Sequence, residues 1–303
     1  MSSPNADLIS IYEKNKASSS SPALATCKAL MDILETDNSA TYAEFVAKLQ
    51  KVIETFESIE PLIEVQSISE IFLRFITLTA SEYQSIDEMR KALKLRGNLF
   101  LDKVVNCTQK IVKYGHPFIY EGSNILVHSY SPVVLETFLF VKKLGKRFCV
   151  YVTKSAPDNS GEIMYNKLKA HGIQCSLILD AAIGHFIEKV DMVMVGADGV
   201  VENGGIINKI GTYPLALCAK AFNKPLYVLA ESYKFIRHYP LNQADIPQPI
   251  RGSDKRIRRK SGTVDESGPL VDYTPPNYIT LLHTDLGTLT TAAVSDVLIQ
   301  LYL

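Results

Sequence analysis

Six short, uninterrupted apolar runs after residue 120 constrain the fold of this chain more than any other feature of its sequence. Helix-like segments separate them, and their apolar residues are continuous rather than alternating with polar ones. Parallel strands that are buried on both faces have this pattern. The runs are ILVHS (125–129), FCVYV (148–152), CSLIL (175–179), MVMVG (192–196), LYVLA (226–230) and YITLLHT (278–284). The sequence therefore predicts an α/β fold whose C-terminal domain, residues 116–303, is a doubly wound, mostly parallel, Rossmann-like sheet.

Helix boundaries between the runs support this prediction. Ser131 and Pro132 suit the N-cap and first position of a helix, and Gly145 suits its end. Gly172 ends the next helical segment in the same way.

Residues 1–115 show helical periodicity instead and predict an N-terminal helical domain. Each of three Ser or Thr residues is followed three positions later by Glu, which is the pattern of a capping box. The pairs are Thr41/Glu44, Ser67/Glu70 and Ser85/Glu88. After Ser85 the apolar spacing continues to Gly115, which predicts a helix about 40 Å long at 1.5 Å per residue.

Composition narrows the function classes. Lys and Arg total 32, as do Asp and Glu, so the chain lacks the overall basic charge that is typical of nucleic-acid binding. No run reaches the roughly 18 apolar residues that span a bilayer, and the N-terminus does not read as a secretory signal. The five cysteines are scattered without metal-site spacing. We therefore expect a cytosolic protein with no metal, no cofactor, no nucleic acid and no membrane partner.

The segment 251–269, RGSDKRIRRKSGTVDESGP, interrupts the α/β pattern. It is rich in charges of both signs and contains no aromatic residue. A nucleic-acid patch and a solvated surface loop both fit this composition, and the exposed loop is favoured because charge runs usually face water.

The most informative polar segment is VGADGVVENGGIINKIGT, residues 195–212. It begins where a predicted buried strand ends, which is where open α/β sheets bind their ligands. Asp198 would lie at that strand tip, and Asn208 and Lys209 precede a helix start at Gly211-Thr212. A lysine beside the amides of a helix N-terminus can bind an anion. Spacing alone equally allows a purely structural role, with Asp198 as a cap, Asn-Gly-Gly as a turn and Lys209 in solvent.

Several other chemistries are excluded by missing motifs. The first strand is followed by His128-Ser129-Tyr130-Ser131-Pro132 rather than by the glycine-rich turn of a dinucleotide site. Neither a P-loop nor the nucleophile elbow of serine hydrolases occurs. His128 could act as a base, but a single histidine in an apolar strand is more often part of the core.

Two long motifs resemble a known family. GADGVVENGGIINKIGT (196–212) and VDYTPPNYITLLHTDLG (271–287) are similar to the family that unites the alpha, beta and delta subunits of translation initiation factor 2B with methylthioribose-1-phosphate and ribose-1,5-bisphosphate isomerases. The resemblance extends over nearly the whole chain. EIFLRFITL (70–78), YSPVVLETF (130–138) and VSDVLIQLYL (294–303) look like the alpha-type members.

The resemblance also shows where this chain departs from the isomerases. Those enzymes pair a Cys after the first-strand His with the Asp of the GAD motif to move protons between carbons. Here Ser129 stands at the Cys position while Asp198 remains. An unassisted serine hydroxyl ionises far above the pKa of about 8.5 of a thiol, so it is a poor acid or base.

Further departures affect substrate binding. Ala156-Pro157 replaces the Arg-Pro that helps to hold substrate, Lys154 replaces a nearby Glu, and Asp285 replaces the Glu of the final strand. The resemblance therefore implies a degenerate isomerase site. A sugar-phosphate isomerase is the alternative function, and a free-standing metabolite-binding protein is a third.

The function implied by the resemblance is a non-catalytic regulatory subunit of the translation initiation factor 2B guanine nucleotide exchange complex. The implied partners are a second copy of the chain, the beta, delta, gamma and epsilon subunits, and the phosphorylated alpha subunit of initiation factor 2, which inhibits exchange. We expect the helical domain to carry this regulation and take Thr41 and Glu44 as candidate residues of its partner face.

The same resemblance implies a ligand pocket that survives without chemistry. We expect it to bind a sugar phosphate or a similar anion through the strand-tip residues Ser129, Asp198, Asn208, Lys209, Gly211 and Thr212. Because a buried parallel sheet leaves little of its faces for contact, we expect the homodimer interface to use strand-end loops and helices after residue 200.

Overall fold

Five consecutive helices begin the chain in the computed structural model, which describes residues 4–19, 21–80, 82–83, 85–246 and 269–302. They are α1 (Pro4–Ala17), α2 (Pro22–Thr36), α3 (Tyr42–Ile59), α4 (Ile63–Ala80) and α5 (Ile86–Gly115). By its contacts the chain divides into one unit up to Asn106, with the residues from Gln300 onward, and a second unit, Cys107–Ile299. The division falls within α5, before the boundary at residue 115 that periodicity suggested.

Two of the three helix starts predicted from capping boxes agree with the structure. The Thr41 hydroxyl accepts the Glu44 amide at 3.2 Å at the start of α3, as predicted. Ser85 immediately precedes α5, again as predicted. The Ser67 prediction is wrong, because Ser67 is buried inside α4, which already begins at Ile63. An apolar face that includes Ile63 extends this helix to the N-terminal side of the Ser67/Glu70 pattern.

A buried carboxylate fixes the link between α2 and α3. Asp37 accepts bonds from the amide (3.1 Å) and the hydroxyl (2.7 Å) of Ser39 and from the Lys48 ammonium (2.9 Å). Arg90 of α5 lies 3.4 Å from the same carboxylate and donates to the Ser39 carbonyl at 2.6 Å. Burial tends to raise the pKa of Asp37, but the bonds from Lys48 and Ser39 outweigh it and lower that pKa. The α2–α3 link is thus held by charge as well as by packing.

The second unit contains the predicted large sheet. Its seven strands have the order β11-β10-β7-β4-β1-β2-β3, and every neighbouring pair is parallel except β10 and β11. The strands are β1 (Asn124–Val127), β2 (Cys149–Thr153), β3 (Gln174–Ile178), β4 (Met192–Val195), β7 (Leu226–Leu229), β10 (Leu281–Thr284) and β11 (Gly287–Leu289). All six apolar runs became strands, which confirms the predicted fold class.

Helices connect most of these strands, and one more helix follows the last strand. They are α6 (Pro132–Lys143), α7 (Ser160–Ala170), α8 (Ile183–Phe186), α9 (Thr212–Ala221) and α10 (Val294–Tyr302). Ser131 is the N-cap residue of α6, with Pro132 in its first turn. Gly145 and Gly172 follow α6 and α7 with φ of 81° and 64°, a conformation that glycine adopts without strain.

A second, smaller sheet was not predicted. Its strands, in the order β8-β5-β6-β9, are β5 (Gly199–Val201), β6 (Ile206–Lys209), β8 (Phe235–Ile236) and β9 (Val271–Thr274). The polar segment 195–212, for which the sequence predicted a strand-tip Asp198 and allowed an Asn-Gly-Gly turn, contains the β5–β6 hairpin. The strands of this sheet are two to four residues long, and β8 and β9 join the hairpin from distant parts of the chain, so the sheet leaves no periodic signal.

The Asn-Gly-Gly motif forms the turn of this hairpin. The Asn203 side chain accepts the Gly205 amide at 2.9 Å and donates to the Tyr273 hydroxyl at 2.7 Å. Gly204 has φ of 83°, and a Cβ there would lie 2.1 Å from the Thr291 carbonyl oxygen. The motif therefore has a structural role in the small sheet.

The expected exposed loop, 251–269, lies outside the described residues except for Pro269. Within the described part of the chain, no helix has both the length and the apolar character that a membrane crossing requires.

Candidate ligand site at the strand tips

Two of the predicted site residues follow neighbouring strands of the large sheet, and the other four lie at the end of β6 in the small sheet and at the start of α9. Ser129 follows β1, and Asp198 follows β4, its parallel neighbour. Asn208 and Lys209 end β6, and Gly211 immediately precedes α9, whose first residue is Thr212. The contacts described below connect these segments at one edge of the large sheet.

His128 links the ends of β1 and β2 to the 210–211 segment. Its Nδ1 accepts from the Thr153 hydroxyl at 2.7 Å, and its Nε2 donates to the Ile210 carbonyl at 2.8 Å. A Cβ at Gly211 would lie 2.7 Å from the imidazole Cε1, so only glycine fits against the ring. Burial lowers the pKa of His128, which keeps the ring neutral at pH 7. The interpretation of His128 as a core residue is confirmed, with an added role in positioning the 210–211 segment.

Ser129 is held by two other serines. Its amide donates to the Ser155 hydroxyl at 2.7 Å, and its own hydroxyl lies 2.8 Å from that of Ser160. Ser129, Ser155 and Asn159 have φ of 66°, 60° and 55°. Non-glycine residues rarely adopt this conformation, and it concentrates at functional sites because the surrounding structure must enforce it. Three such residues on the loops after β1 and β2 indicate a built site rather than a relaxed surface.

The loop after β2 uses its amides internally. Asp180 accepts the amides of Ser155 at 2.8 Å and of Ala156 at 2.9 Å. Lys154 pairs with Glu162 at 3.4 Å, and both side chains are partly exposed. At the two positions where the resemblance implies Arg and Glu, the chain therefore presents a methyl group and an ammonium group.

Asp198 and Lys209 form the charged part of the site. The Asp198 carboxylate lies 3.7 Å from the Lys209 ammonium, and each side chain is a little over one third exposed. Asn208 has a different role, because its buried amide donates to the Thr212 hydroxyl at 3.1 Å. That hydroxyl in turn donates to the Lys209 carbonyl at 2.6 Å, which holds the turn into α9.

Sequence reasoning missed Asp272 of β9. One oxygen of its carboxylate accepts the amides of Gly211 at 2.7 Å and Tyr213 at 3.0 Å, and the side chain is buried. Burial raises the pKa of Asp272 to about 6. The start of α9 was expected to offer these amides to an external anion, and that expectation needs correction: the amides of Gly211 and Tyr213 already bind the chain's own carboxylate. No local signal could reveal this, since Asp272 lies 61 residues from Gly211 in sequence.

Two further carboxylates complete the edge. Asp285 accepts the amide (2.7 Å) and the hydroxyl (2.9 Å) of Ser232, which fixes the turn after β7. Glu231 pairs with Lys234 at 3.1 Å, and Lys234 also donates to the Ala197 carbonyl at 3.1 Å beside Asp198. Among the residues that the structure describes, no group of three or more His, Cys, Asp or Glu could hold a metal ion.

Thr41 and Glu44, the candidate regulatory residues, lie in the helical unit and bond to their own loop. While Thr41 caps the Glu44 amide, the Glu44 carboxylate accepts the Ala40 amide at 3.0 Å. Both side chains remain exposed. Their part in partner binding stays a prediction.

A scan against protein-family models matches residues 15–291 to the initiation factor 2 subunit family. Two curated relatives are similar over almost their full length. The translation initiation factor eIF2B subunit alpha of Dictyostelium discoideum is 42% identical over 294 residues, which cover 92% of this chain and 91% of the relative. The corresponding subunit of Caenorhabditis elegans is 39% identical over 289 residues and 94% of both chains.

An enzyme is also among the relatives. The ribose 1,5-bisphosphate isomerase of Archaeoglobus fulgidus is 32% identical over 216 residues, 68% of this chain and 66% of the enzyme. Solved structures show the same fold. The translation initiation factor eIF-2B of Pyrococcus horikoshii superposes with a TM-score of 0.75 at 27% identity, covering 94% of this chain and 97% of that one. A chain of the eIF2B beta2–delta2 complex from C. thermophilum gives 0.77 at 21% identity, covering 99% and 96%.

Proposed function

The chain belongs to the initiation factor 2 subunit family, and from this premise we propose that it is a non-catalytic regulatory subunit of the translation initiation factor 2B guanine nucleotide exchange complex. In this proposal it acts in the cytosol as a homodimer that joins beta, delta, gamma and epsilon subunits. Its helical unit contacts the phosphorylated alpha subunit of initiation factor 2, and that contact inhibits exchange.

The observation that carries the non-catalytic part is the environment of Ser129. Its hydroxyl bonds to the hydroxyl of Ser160, which is not a base, while both nitrogens of the neighbouring His128 are engaged elsewhere. Asp198 is paired with an ammonium group. Proton shuttling between adjacent carbons needs two groups that can exchange protons near neutral pH. This geometry favours the regulatory subunit over the alternative sugar-phosphate isomerase.

A charge change at the start of α3 tests the regulatory role. Asp is as good an N-cap as Thr, so Thr41→Asp keeps α3 intact while adding a negative charge to the proposed partner face. A phosphorylated partner would be repelled, and we expect about tenfold weaker inhibition of exchange by the phosphorylated factor. Exchange on the unphosphorylated factor should not change. The measurement is GDP release from both forms of the factor by the complete five-subunit complex.

Thr41→Ser is the matched control, because it keeps both the cap and the charge. It should be inhibited as strongly as the wild type. If Thr41→Asp reduces exchange on the unphosphorylated factor as severely as it reduces inhibition, the helical unit serves exchange itself and the assignment is wrong.

We also propose that the strand-tip site binds a sugar phosphate without converting it. The partly exposed Lys209 ammonium and the positive φ of Ser129, Ser155 and Asn159 support this proposal. A ligand at a hundred times its dissociation constant would stabilise the fold by about 2.7 kcal/mol. Calorimetry with ribose-1,5-bisphosphate and methylthioribose-1-phosphate should detect binding, while analysis of the same mixtures should find no isomerised product.

Two variants sharpen this test. Lys209→Ala should weaken binding, and Lys220→Ala, at an exposed lysine in the last turn of α9, should not. Product above the enzyme-free background that disappears in Asp198→Asn would instead establish an isomerase. An absence of heat with either sugar phosphate would mean that the site no longer binds them.

A further inference from the structure

Positive charge is concentrated at the amino ends of five parallel strands in the large sheet. Residues 113–123, 142–148, 169–173, 187–191 and 220–225 lead into β1, β2, β3, β4 and β7, which are neighbours in the sheet. These segments contain nine Lys or Arg residues and three carboxylates, although the whole chain is neutral. We call the nine cations the basic rim. They are Lys113, Lys142, Lys143, Lys146, Arg147, Lys169, Lys189, Lys220 and Lys224.

The carboxyl ends of the strands carry the opposite charge. A carboxylate follows each of the parallel strands β2, β3, β4, β7 and β10. These residues are Asp158, Asp180, Asp198, Glu231 and Asp285. The neutral total, which argued against a nucleic-acid partner, therefore conceals a separation of charge along the strand direction. A local excess of one sign attracts a partner of the other sign even when the net charge is zero.

Helix dipoles explain only part of the basic rim. A lysine in the last turn of a helix offsets the partial negative charge of its carbonyl end, and α5, α6, α7 and α9 all have such lysines. Lys146 and Arg147, between α6 and β2, and Lys224, between α9 and β7, lie beyond the helix ends. Their charge adds to what the dipoles need.

Three exposed aromatic rings lie in the same segments as the basic rim. Tyr114 and Phe222 are each 40% exposed, and Tyr120 is 56% exposed. The backbone at Tyr120 is fixed, because the Ser123 hydroxyl accepts its amide at 3.1 Å and donates to its carbonyl at 2.9 Å. An exposed ring on an ordered backbone can stack with a base at a low entropic cost.

Direct bonds place the Tyr120 segment beside two cations of the basic rim. The Gly122 amide donates to the Arg147 carbonyl at 2.7 Å, and the Lys146 ammonium donates to the Ile119 carbonyl at 2.6 Å. The segment before β1 and the segment before β2 therefore form one surface that combines a ring with positive charge.

We propose that the basic rim binds single-stranded nucleic acid, with phosphates beside the lysines and bases stacked on the exposed rings. This inference goes beyond the regulatory role and does not depend on it. Lysines attract the phosphates of any polyanion of this kind, and aromatic rings add stacking that an acidic peptide does not provide. Neither interaction reads the edges of bases, so binding should depend little on sequence.

Fluorescence anisotropy of the full chain with a labelled oligouridine of about twelve nucleotides tests the proposal. We expect binding at about 50 mM salt, and the logarithm of the association constant should fall by about 0.7 per neutralised phosphate for each tenfold rise in salt. An oligothymidine of the same length distinguishes RNA from DNA as the source of the strand. A duplex should bind more weakly, because its paired bases cannot stack on the rings. No binding of either single strand, or a duplex bound as tightly, would refute the proposal.

Removing two charges of the basic rim should weaken this binding. Lys113 and Lys143 are exposed lysines in the last turns of α5 and α6. Lys113→Gln/Lys143→Gln should bind oligouridine roughly 50-fold more weakly at about 50 mM salt, and its salt slope should be lower by about 1.4. The control, Lys14→Gln/Lys51→Gln, removes the same charge from exposed positions of the helical unit and should bind like the wild type. An equal loss in both variants would mean that net charge alone governs binding, which contradicts a site at the rim.

A ring variant tests the choice of nucleic acid over an acidic protein segment. Tyr120→Ala should bind oligouridine about tenfold more weakly with an unchanged salt slope, because it removes stacking and leaves the charges. Tyr120→Phe keeps the ring and should bind like the wild type. Circular dichroism checks that both variants are folded. If Tyr120→Ala binds as tightly as the wild type, the rim attracts polyanions through charge alone and the assignment to nucleic acid is wrong.

Discussion

Replacing Gly161 with alanine should destabilise the α/β unit by about 3 kcal/mol or more. Gly161 is the second residue of α7, and a Cβ there would lie 1.8 Å from the carbonyl oxygen of Thr153. The Thr153 carbonyl cannot move away easily, because Thr153 pairs with Ile178 of β3 and its hydroxyl bonds to His128. The measurement is equilibrium unfolding in urea, followed by circular dichroism.

The consequences extend to the candidate site. Ser160, which precedes Gly161, is the hydroxyl partner of Ser129, so a displaced α7 start would also disturb the strand tips. Gly184→Ala is the matched control: Gly184 lies in α8, and a Cβ added there would meet no neighbouring atom within 4 Å. Alanine there should be neutral or stabilising by up to about 1 kcal/mol. Equal stability of the Gly161 and Gly184 variants would show that the α7–β2 contact is looser than described.

The large sheet could be predicted from the sequence because burial on both faces imposes a local pattern. Each of its six predicted strands is a continuous apolar run, and glycines with positive φ mark the ends of α6 and α7. The small sheet has no comparable signal. Its β6 pairs with β9 across more than sixty residues, and its strands include polar side chains such as Asn208 and Asp272.

For the candidate site, the sequence could predict the positions of residues at strand ends but not their bonding partners. Strand ends locate Ser129 and Asp198, because ligands and polar groups collect at the carboxyl edge of a parallel sheet. Which donors remain available depends on contacts between distant segments. Asp272 occupies amides at the start of α9 that the sequence pattern assigned to a ligand, and it acts across 61 residues of the chain. Local spacing carries no information about such partners.

Two buried ionisable groups should give the α/β unit opposing pH dependences. The buried His283 ring packs on the Phe118 ring, with 4.5 Å between the ring centroids, and its Nδ1 lies 3.0 Å from the Thr288 hydroxyl. This burial lowers the pKa of His283 from 6.5 to about 4. Its depressed pKa means that its stabilising contribution is present above pH 6.5 and is lost as the pH falls towards 4. Between pH 7 and pH 5 this loss amounts to about 2 kcal/mol.

Asp272 acts in the opposite direction. Its pKa rises from 3.8 to about 6, so its contribution is fully present below pH 3.8 and is lost as the pH rises through 6. Acidification from pH 7 to pH 5 should therefore raise the contribution of Asp272 to the free energy of unfolding by about 1 kcal/mol. In the wild type the pH-dependent contributions of His283 and Asp272 to stability partly cancel. A pH profile of wild-type stability alone therefore does not reveal either contribution.

Single variants separate the two contributions. His283→Phe suits the aromatic contacts with Phe118 and Tyr227 and removes the titrating ring, so its loss of stability between pH 7 and pH 5 should be about 2 kcal/mol smaller than in the wild type. Asp272→Asn keeps an acceptor for the α9 amides, and its loss should be about 1 kcal/mol larger. The measurement is urea unfolding of the three proteins at both pH values. Parallel pH profiles would mean that neither group titrates differently in the folded and unfolded chains. A shift of both variants in the same direction would contradict the assigned role of one of them.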